Sequence, residues 1–193
     1  YAEASGTRAL ANAPKELING IQWADTTGKP IQTHGGSIIK SGAYYYWFGE
    51  NRQPDNHFES VACYRSPDLV NWTFVSHAIS KSSAPELNYS WIERPKVIYN
   101  ASTGKYAMWA HWENGDHYGE AKTMVAVADK VEGPYAMVKI FRPYEDRGVV
   151  DGWEQKPGYM TRDQTLFVDD DGSAYFLASG NDNKDMRIFR LTA

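Results

Sequence analysis

Residues 93 to 98 read Glu93-Arg94-Pro95-Lys96-Val97-Ile98, a short polar tag that leads into an apolar strand. The same order occurs twice more, at His34-Gly35-Gly36-Ser37-Ile38-Ile39 and at Arg162-Asp163-Gln164-Thr165-Leu166-Phe167. Each tagged strand is followed by a second strand that is dense in aromatic residues. A unit that recurs along a chain is typical of propellers and solenoids, in which each unit packs against its neighbours. The repeat therefore predicts an all-β protein, and in a propeller the polar tags of successive inner strands converge on one axis.

The composition is that of a globular β protein rich in Trp and Tyr, with 193 residues of which 42% are hydrophobic and 14% aromatic. The net charge is −4 and no block of Lys and Arg alternates with aromatic residues, which argues against nucleic acid as a partner. No apolar run approaches the roughly 20 residues that cross a bilayer, so we expect no membrane partner. The one cysteine, Cys63, is expected to pack as a small hydrophobic residue and does not fix the compartment.

The chain divides into an N-terminal arm at residues 1–20 and a region of short strands and turns at residues 21–193. Weak helical periodicity at Ala9 to Leu17 allows a short helix within the arm. The strand region contains two units of four strands and a third unit that stops after three. Because propellers typically have about four to eight blades, we expect further blades in the full protein or in another chain.

Several polar residues have ordinary structural explanations. Asp169, Asp170 and Asp171 precede Gly172 between two strands, and this composition favours a hairpin turn over a calcium site. Solvation at the surface explains Glu113 and Asp116 about as well as a role beside a pocket. The histidines at 34, 111 and 117 show no zinc-ligand spacing, and we predict no metal.

Glu93 and Asp163 differ from the other acidic residues because each stands beside an arginine at the head of an apolar strand. Burial makes such a charge costly unless it is paired or used. Two interpretations fit equally well: an arginine–carboxylate clamp that ties blades together, or a functional site.

Five segments make the chain similar to glycoside hydrolase family 43, whose members are five-bladed β-propellers. The resemblance covers about residues 20 to 193 and is greatest to the branch that contains exo-β-1,3-galactanases. The segments are Asp25 to Gly36, Tyr44 to Glu50, Ser66 to Trp72, Glu93 to Asn100 and Arg162 to Gly172.

The resemblance implies an inverting glycosidase with three acidic groups: a general base, a modulator of pKa and a general acid. Asp163 matches the modulator, and Glu93 matches a residue that holds sugar hydroxyls. Tyr118 and Asn183 match further sugar contacts by position. His34 and Trp112 are added as substrate contacts, with Trp112, Trp91 and Tyr118 as an apolar platform for a pyranose face. Trp47, Trp72 and Trp109 are instead expected to pack between strands.

Two departures from the family pattern limit what this chain can supply. Gly35-Gly36 stands where most members carry the Asp that acts as general base. The galactanase-like branch shares this loss and is thought to use a downstream Gln instead. The general acid is expected beyond Ala193.

The sequence thus predicts part of an enzyme that releases terminal galactose from β-1,3-galactan or arabinogalactan without a cofactor. Its partner would be a galactan-type polysaccharide or oligosaccharide, and its location secreted or periplasmic. The alternatives are a non-catalytic carbohydrate-binding propeller and a family 43 arabinofuranosidase or xylosidase.

Overall fold

A computed structural model describes residues 16–192. Most of the predicted N-terminal arm, and all but the last two residues of the possible helix at Ala9 to Leu17, lie outside the described residues. The described chain consists of strands and turns, with one 3-10 turn at Pro85–Leu87. The strands are β1 His34–Ser41, β2 Tyr44–Arg52, β3 Phe58–Ser66, β4 Thr73–Ser80, β5 Trp91–Asn100, β6 Lys105–Glu113, β7 Lys122–Ala128, β8 Ala136–Phe141, β9 Val150–Asp151, β10 Lys156–Pro157, β11 Gln164–Val168, β12 Ala174–Gly180 and β13 Asp185–Arg190.

The strands form three successive antiparallel sheets, as the repeat predicts. The first sheet has the order β1-β2-β3-β4, the second β5-β6-β7-β8, and the third β11-β12-β13. The inner strands adjoin one another, because β1 contacts β5 and β5 contacts β11. Consecutive strands within each sheet and adjacent inner strands between sheets are the arrangement of propeller blades.

Two features of the strands differ from the sequence prediction. A two-stranded hairpin, β9 with β10, lies between the second and third sheets and was not expected. Strand β5 begins at Trp91, so the tag that contains Glu93 lies inside the strand and not ahead of it. An irregular register between Glu93 and Lys96 accommodates Pro95, which has no N–H to donate to the ladder.

The largest apolar core lies between the first and second sheets. Strand β2 contributes Tyr46 and Phe48 from one face, and β6 contributes Met108 and Ala110. Cys63 is buried in the same core without a disulfide, as expected, and burial raises the pKa of its thiol to about 12. Alternation of side chains along each strand selects which residues enter this core.

The three tryptophans assigned to packing do pack. Trp47 and Trp72 lie 5.1 Å apart in a second apolar cluster beside the first sheet. The ring centroids of Trp109 on β6 and Phe176 on β12 lie 4.8 Å apart, and this contact joins the second sheet to the third.

Residues 169–172 form the predicted turn, in which the Gly172 amide donates to the Asp169 carbonyl. No helix among residues 16–192 is long and apolar enough to cross a membrane.

Candidate active site

The polar tags of the three inner strands lie close together and are joined by ion pairs between blades. Arg52, at the end of β2, donates to Glu93 of β5 at 2.8 Å. Arg94 of β5 donates through Nε to Asp163, directly before β11, at 2.7 Å. Neither carboxylate pairs with the arginine next to it in sequence. Arginine–carboxylate pairs therefore do tie the blades together, as the clamp interpretation predicts. In both pairs the arginine belongs to the preceding blade.

Glu93 is held by three donors and leaves part of its carboxylate accessible, with 18% of the side chain exposed. Tyr118 donates its hydroxyl proton to Oε2, and His111 Nδ1 lies 3.3 Å from the same oxygen. Burial raises the pKa of Glu93, but the hydrogen bonds from His111, Tyr118 and Arg52 outweigh burial and lower the pKa to about 2. Glu93 is therefore ionised above about pH 3.

His111 is fully buried between two carboxylates. Its Nε2 lies 2.8 Å from Oε1 of Glu113, and its Nδ1 faces Glu93. Burial lowers the pKa of His111, but the hydrogen bonds with Glu113 and Glu93 raise it above its ordinary value. The imidazole therefore links a fully buried carboxylate to the one that faces the site.

Glu113 anchors the segment that carries Tyr118. It is completely buried at the end of β6, which excludes surface solvation, one of the two alternatives left open for this residue. Its carboxylate accepts hydrogen bonds from the backbone amides of Glu120, at 2.6 Å, and Ala121, at 3.0 Å. These bonds fix the far end of the loop between β6 and β7 and so help to place the Tyr118 hydroxyl.

Glu50 is a further buried carboxylate at the site. It ends the alternating series that begins with Tyr46 and Phe48 on β2, so its side chain points from the first blade toward the second. Its Oε2 accepts from Arg52 at 2.6 Å, and its Oε1 accepts from the Arg94 amide at 2.8 Å. Arg52 thus bridges Glu50 and Glu93, and the pairing with these two carboxylates raises the pKa of Arg52 despite its burial.

Gly35 and Gly36 leave no room for the carboxylate found there in most of the resembled family. A Cβ at Gly36 would overlap the carbonyl oxygen of Phe48, and one at Gly35 would lie 2.5 Å from Oε1 of Glu50. The ammonium group of Lys96 contacts both glycine carbonyls, at 2.6 and 2.8 Å. The close packing of β1 against β2 therefore excludes an acidic side chain at Gly35 and Gly36.

Asp163 and Asn183 line one open groove of about 520 Å³ on the third blade. The Asp163 side chain is 68% exposed, and Arg94 is its ion-pair partner. Asn183 has a positive φ of 64° in the turn between β12 and β13, and its side-chain oxygen accepts from Ser179 at 2.9 Å. The structure thus brings together two of the predicted site residues that are 20 positions apart in sequence.

Of the remaining residues predicted to contact the substrate, some lie near Glu50 and Glu93 and one does not. His34 reaches the site, because its Nδ1 lies 3.3 Å from Glu50 Oε2. Trp112 does not: it lies between His111 and Glu113 on β6, so it points to the opposite face, where its indole donates to the Glu86 carbonyl at 3.1 Å. Of the proposed apolar platform, Trp91 and Tyr118 lie together with ring centroids 6.1 Å apart.

The three histidines considered for metal binding occupy separate contacts. His34 faces Glu50, His111 faces Glu93 and Glu113, and His117 lies 3.7 Å from Glu154. Within residues 16–192 no three acidic, histidine or cysteine side chains are grouped to hold a metal ion.

The model of the glycosyl hydrolases family 43 matches residues 29–192, which is most of the chain. The chain belongs to glycoside hydrolase family 43. Its three sheets are blades of the five-bladed propeller of that family, which confirms the fold predicted from the repeat.

Family 43 enzymes with known structures extend the comparison. The chain is 50% identical to an exo-β-1,3-galactanase from Clostridium thermocellum, with a TM-score of 0.88 over 91% of this chain and 38% of that one. It is 36% identical to an exo-β-1,3-galactanase from Phanerochaete chrysosporium crystallised with β-1,3-galactotriose, with a TM-score of 0.80 over 91% and 39% of the two chains. A curated xylan 1,3-β-xylosidase from Vibrio sp is 26% identical over 73% of this chain and 24% of its own length. The chain therefore spans about a quarter to two fifths of these relatives.

Sequence reasoning missed the network that supports Glu93. Glu50 and Arg52 lie at the end of the aromatic strand β2. A carboxylate close to an arginine at one end of a strand resembles the signal that singled out Glu93, which stands beside Arg94 at the head of its strand. His111 was considered as a metal ligand only. Its role as a link between Glu93 and Glu113 depends on the pairing of β5 with β6, which aligns Glu93 with His111.

Proposed function

We propose that the protein is an exo-acting β-1,3-galactanase that removes terminal galactose from β-1,3-galactan and from arabinogalactan side chains with inversion. The observation that carries the proposal is the partly open carboxylate of Glu93, held by Arg52, His111 and Tyr118 beside the Arg94–Asp163 pair. Similarity to two exo-β-1,3-galactanases over 91% of the chain supports galactan as the substrate class.

Glu93 and Tyr118 are proposed to hold the terminal sugar. A carboxylate whose pKa is about 2 accepts hydrogen bonds from sugar hydroxyls throughout the neutral range. Burial and the hydrogen bond to Glu93 raise the pKa of Tyr118, so its phenol stays protonated. Trp91 adds an aromatic surface next to Tyr118, and His34 and Asn183 add polar groups at the two sides of the site. Trp112, on the opposite face of β6, is no longer assigned to the substrate.

Asp163 is proposed to modulate the general acid. A carboxylate near a proton donor disfavours loss of the donor's proton and raises its pKa, which suits an acid that must protonate a leaving oxygen. Arg94 orients Asp163 and leaves most of its side chain accessible. Inversion then requires a water on the opposite side of the sugar, between acid and base carboxyls or their equivalents about 6.5–9.5 Å apart.

Hydrolysis of a glycosidic bond transfers protons and water and needs no redox group, so the proposal includes no cofactor. We also propose that the protein is secreted or periplasmic.

A substrate comparison tests the proposal on the natural full-length protein. We expect release of galactose from β-1,3-galactobiose and no comparable release from nitrophenyl arabinofuranoside or nitrophenyl xyloside. Release of arabinose or xylose alone would overturn the choice of sugar. Binding of galactobiose without turnover would instead favour the carbohydrate-binding module.

A further inference from the structure

Trp153 is the most exposed aromatic side chain among residues 16–192, with 69% of its surface accessible. It lies at the tip of the unexpected hairpin, between β9 and β10. Within the described part of the chain its indole has no hydrogen-bond or ring partner. A large apolar ring is rarely left this open, because aromatic side chains contribute most when they are buried.

The hairpin that presents Trp153 is rigidly supported. Asp151 is buried, accepts from the Met160 amide at 2.9 Å and forms an ion pair with Arg187. The turn closes on Gly152, whose carbonyl accepts from the amide of Gln155 at 3.0 Å and from its side chain at 2.7 Å. The exposure of Trp153 is therefore a property of an ordered turn.

The hairpin is tied to the loop that carries Tyr118. Arg142 is buried and donates both to the Asp151 carbonyl, at 3.0 Å, and to the Gly119 carbonyl, at 3.2 Å. Lys156 pairs with Glu120 of that loop at 2.8 Å. The Glu154 carboxylate, next to Trp153 in sequence, packs against Gly119, which follows Tyr118.

On its other side the hairpin meets the turn that carries Asn183. The Asn181 amide lies 3.4 Å from Asp151 Oδ2, and a Cβ at Gly152 would lie 3.5 Å from Asp182 Oδ1. Trp153 is thus flanked by the segments that hold two proposed sugar contacts, Tyr118 and Asn183.

We propose that Trp153 is a binding residue for the leaving-group side of the substrate, where its indole stacks on the apolar face of a galactosyl residue beyond the cleaved bond. The inference rests on the proposed exo action, because an exo enzyme holds one sugar in the terminal site and the rest of the chain extends outward. Neighbouring polar groups at His117 and Asn183 suit the hydroxyls at the edge of a stacked sugar.

The test compares a long and a minimal substrate with the natural full-length protein and its Trp153→Ala variant. β-1,3-Galactotriose extends past the terminal site, whereas β-galactosyl fluoride fills only that site. We expect kcat/KM for galactotriose to fall about tenfold, the size expected for loss of one aromatic face, and kcat/KM for the fluoride to change less than about twofold. Trp153→Phe keeps a ring and should recover most of the activity on galactotriose.

Tyr99→Ala is the matched control, because Tyr99 is also exposed but lies near the opposite end of β5 from Glu93. It should leave the ratio of the two activities unchanged. An unchanged ratio in Trp153→Ala, or an equal fall on both substrates with a lower Tm, would overturn the inference and leave the proposed function standing. A wild-type protein that cleaves neither substrate would overturn the proposed function and this inference with it.

Discussion

At the scale of single residues, the site depends on how Glu93 is kept ionised. Burial opposes its charge, and donors from three strands or loops more than compensate. The folded pKa of about 2 lies below the ordinary value of 4.5, so the stabilisation is present above about pH 4.5 and is lost as pH falls toward 2.

Glu93→Gln should therefore flatten the acid side of the stability profile. Between pH 5 and pH 3 the wild-type protein should lose about 2 kcal/mol more unfolding free energy than the variant, because in this range the unfolded wild-type chain takes up a proton at Glu93 while the folded protein stays largely ionised there. Urea unfolding at the two pH values measures the difference. Glu59→Gln removes a carboxylate paired with Lys81 at the surface and should keep the wild-type loss. Equal losses in the wild type and Glu93→Gln would contradict the assigned environment.

Asp163→Asn separates the modulator from a simple clamp. The amide keeps an oxygen that can accept from Arg94 but removes the charge that raises the pKa of a neighbouring acid. We expect kcat on galactotriose to fall about 100-fold, with KM changed less than about threefold. Asp170→Asn, in the turn after β11, should be neutral. A fall in Tm that accounts for the lost activity would favour the clamp.

The residues that sequence alone identified best were those with an unusual local context. Glu93 and Asp163 stood out as charges beside apolar strands, and each is held by an arginine of the preceding blade. Their arginine partners could not be inferred, because Arg52 and Arg94 reach them across blades. Trp112 was predicted as a substrate contact because it is an aromatic residue that could add to an apolar platform. Side chains alternate along a strand, so Trp112 points to the face of β6 opposite His111 and Glu113.

At the scale of elements, the first two strands decide which chemistry is possible at the head of β1. Gly36 lies so close to the Phe48 carbonyl that no side chain fits between β1 and β2. The irregular register between His34 and Ser37 belongs to the same close approach. A carboxylate enters this region from β2 instead, at Glu50.

Gly36→Ala should consequently destabilise the protein by about 3 kcal/mol, because a rigid backbone carbonyl must move to admit the new methyl group. Gly42→Ala is the control: it has open space around its Cβ and a positive φ of 58°, so about 1 kcal/mol is expected from strain alone. Thermal or urea unfolding of the two variants gives the comparison. Equal costs would mean that β1 and β2 separate easily at this point.

Element boundaries were predictable only where turns carry Gly, Pro or Asp. The turn at 169–172 formed as expected, whereas β5 extends through Pro95 because an irregular register removes the need for its missing N–H. The hairpin of β9 and β10 has two residues in each strand, too few to show an alternating pattern. It is nevertheless the element that presents Trp153 beside the site.

At the scale of the molecule, the repeat predicted successive blades because each sheet needs a neighbour to cover its apolar face. The structure confirms this for the first and second sheets, which enclose the main core, and for the contact of Trp109 with Phe176. Function could be predicted less fully. The chain spans 38% of the galactanase from Clostridium thermocellum.

The most direct measurement is the proton NMR spectrum of the natural full-length protein acting on β-1,3-galactotriose, recorded from the first turnover. We expect galactose to appear first as the α anomer, with galactobiose as the other product, because an inverting exo enzyme removes one terminal sugar by direct displacement. Initial release of β-galactose, release of internal fragments from longer galactan, or no cleavage at all would contradict it.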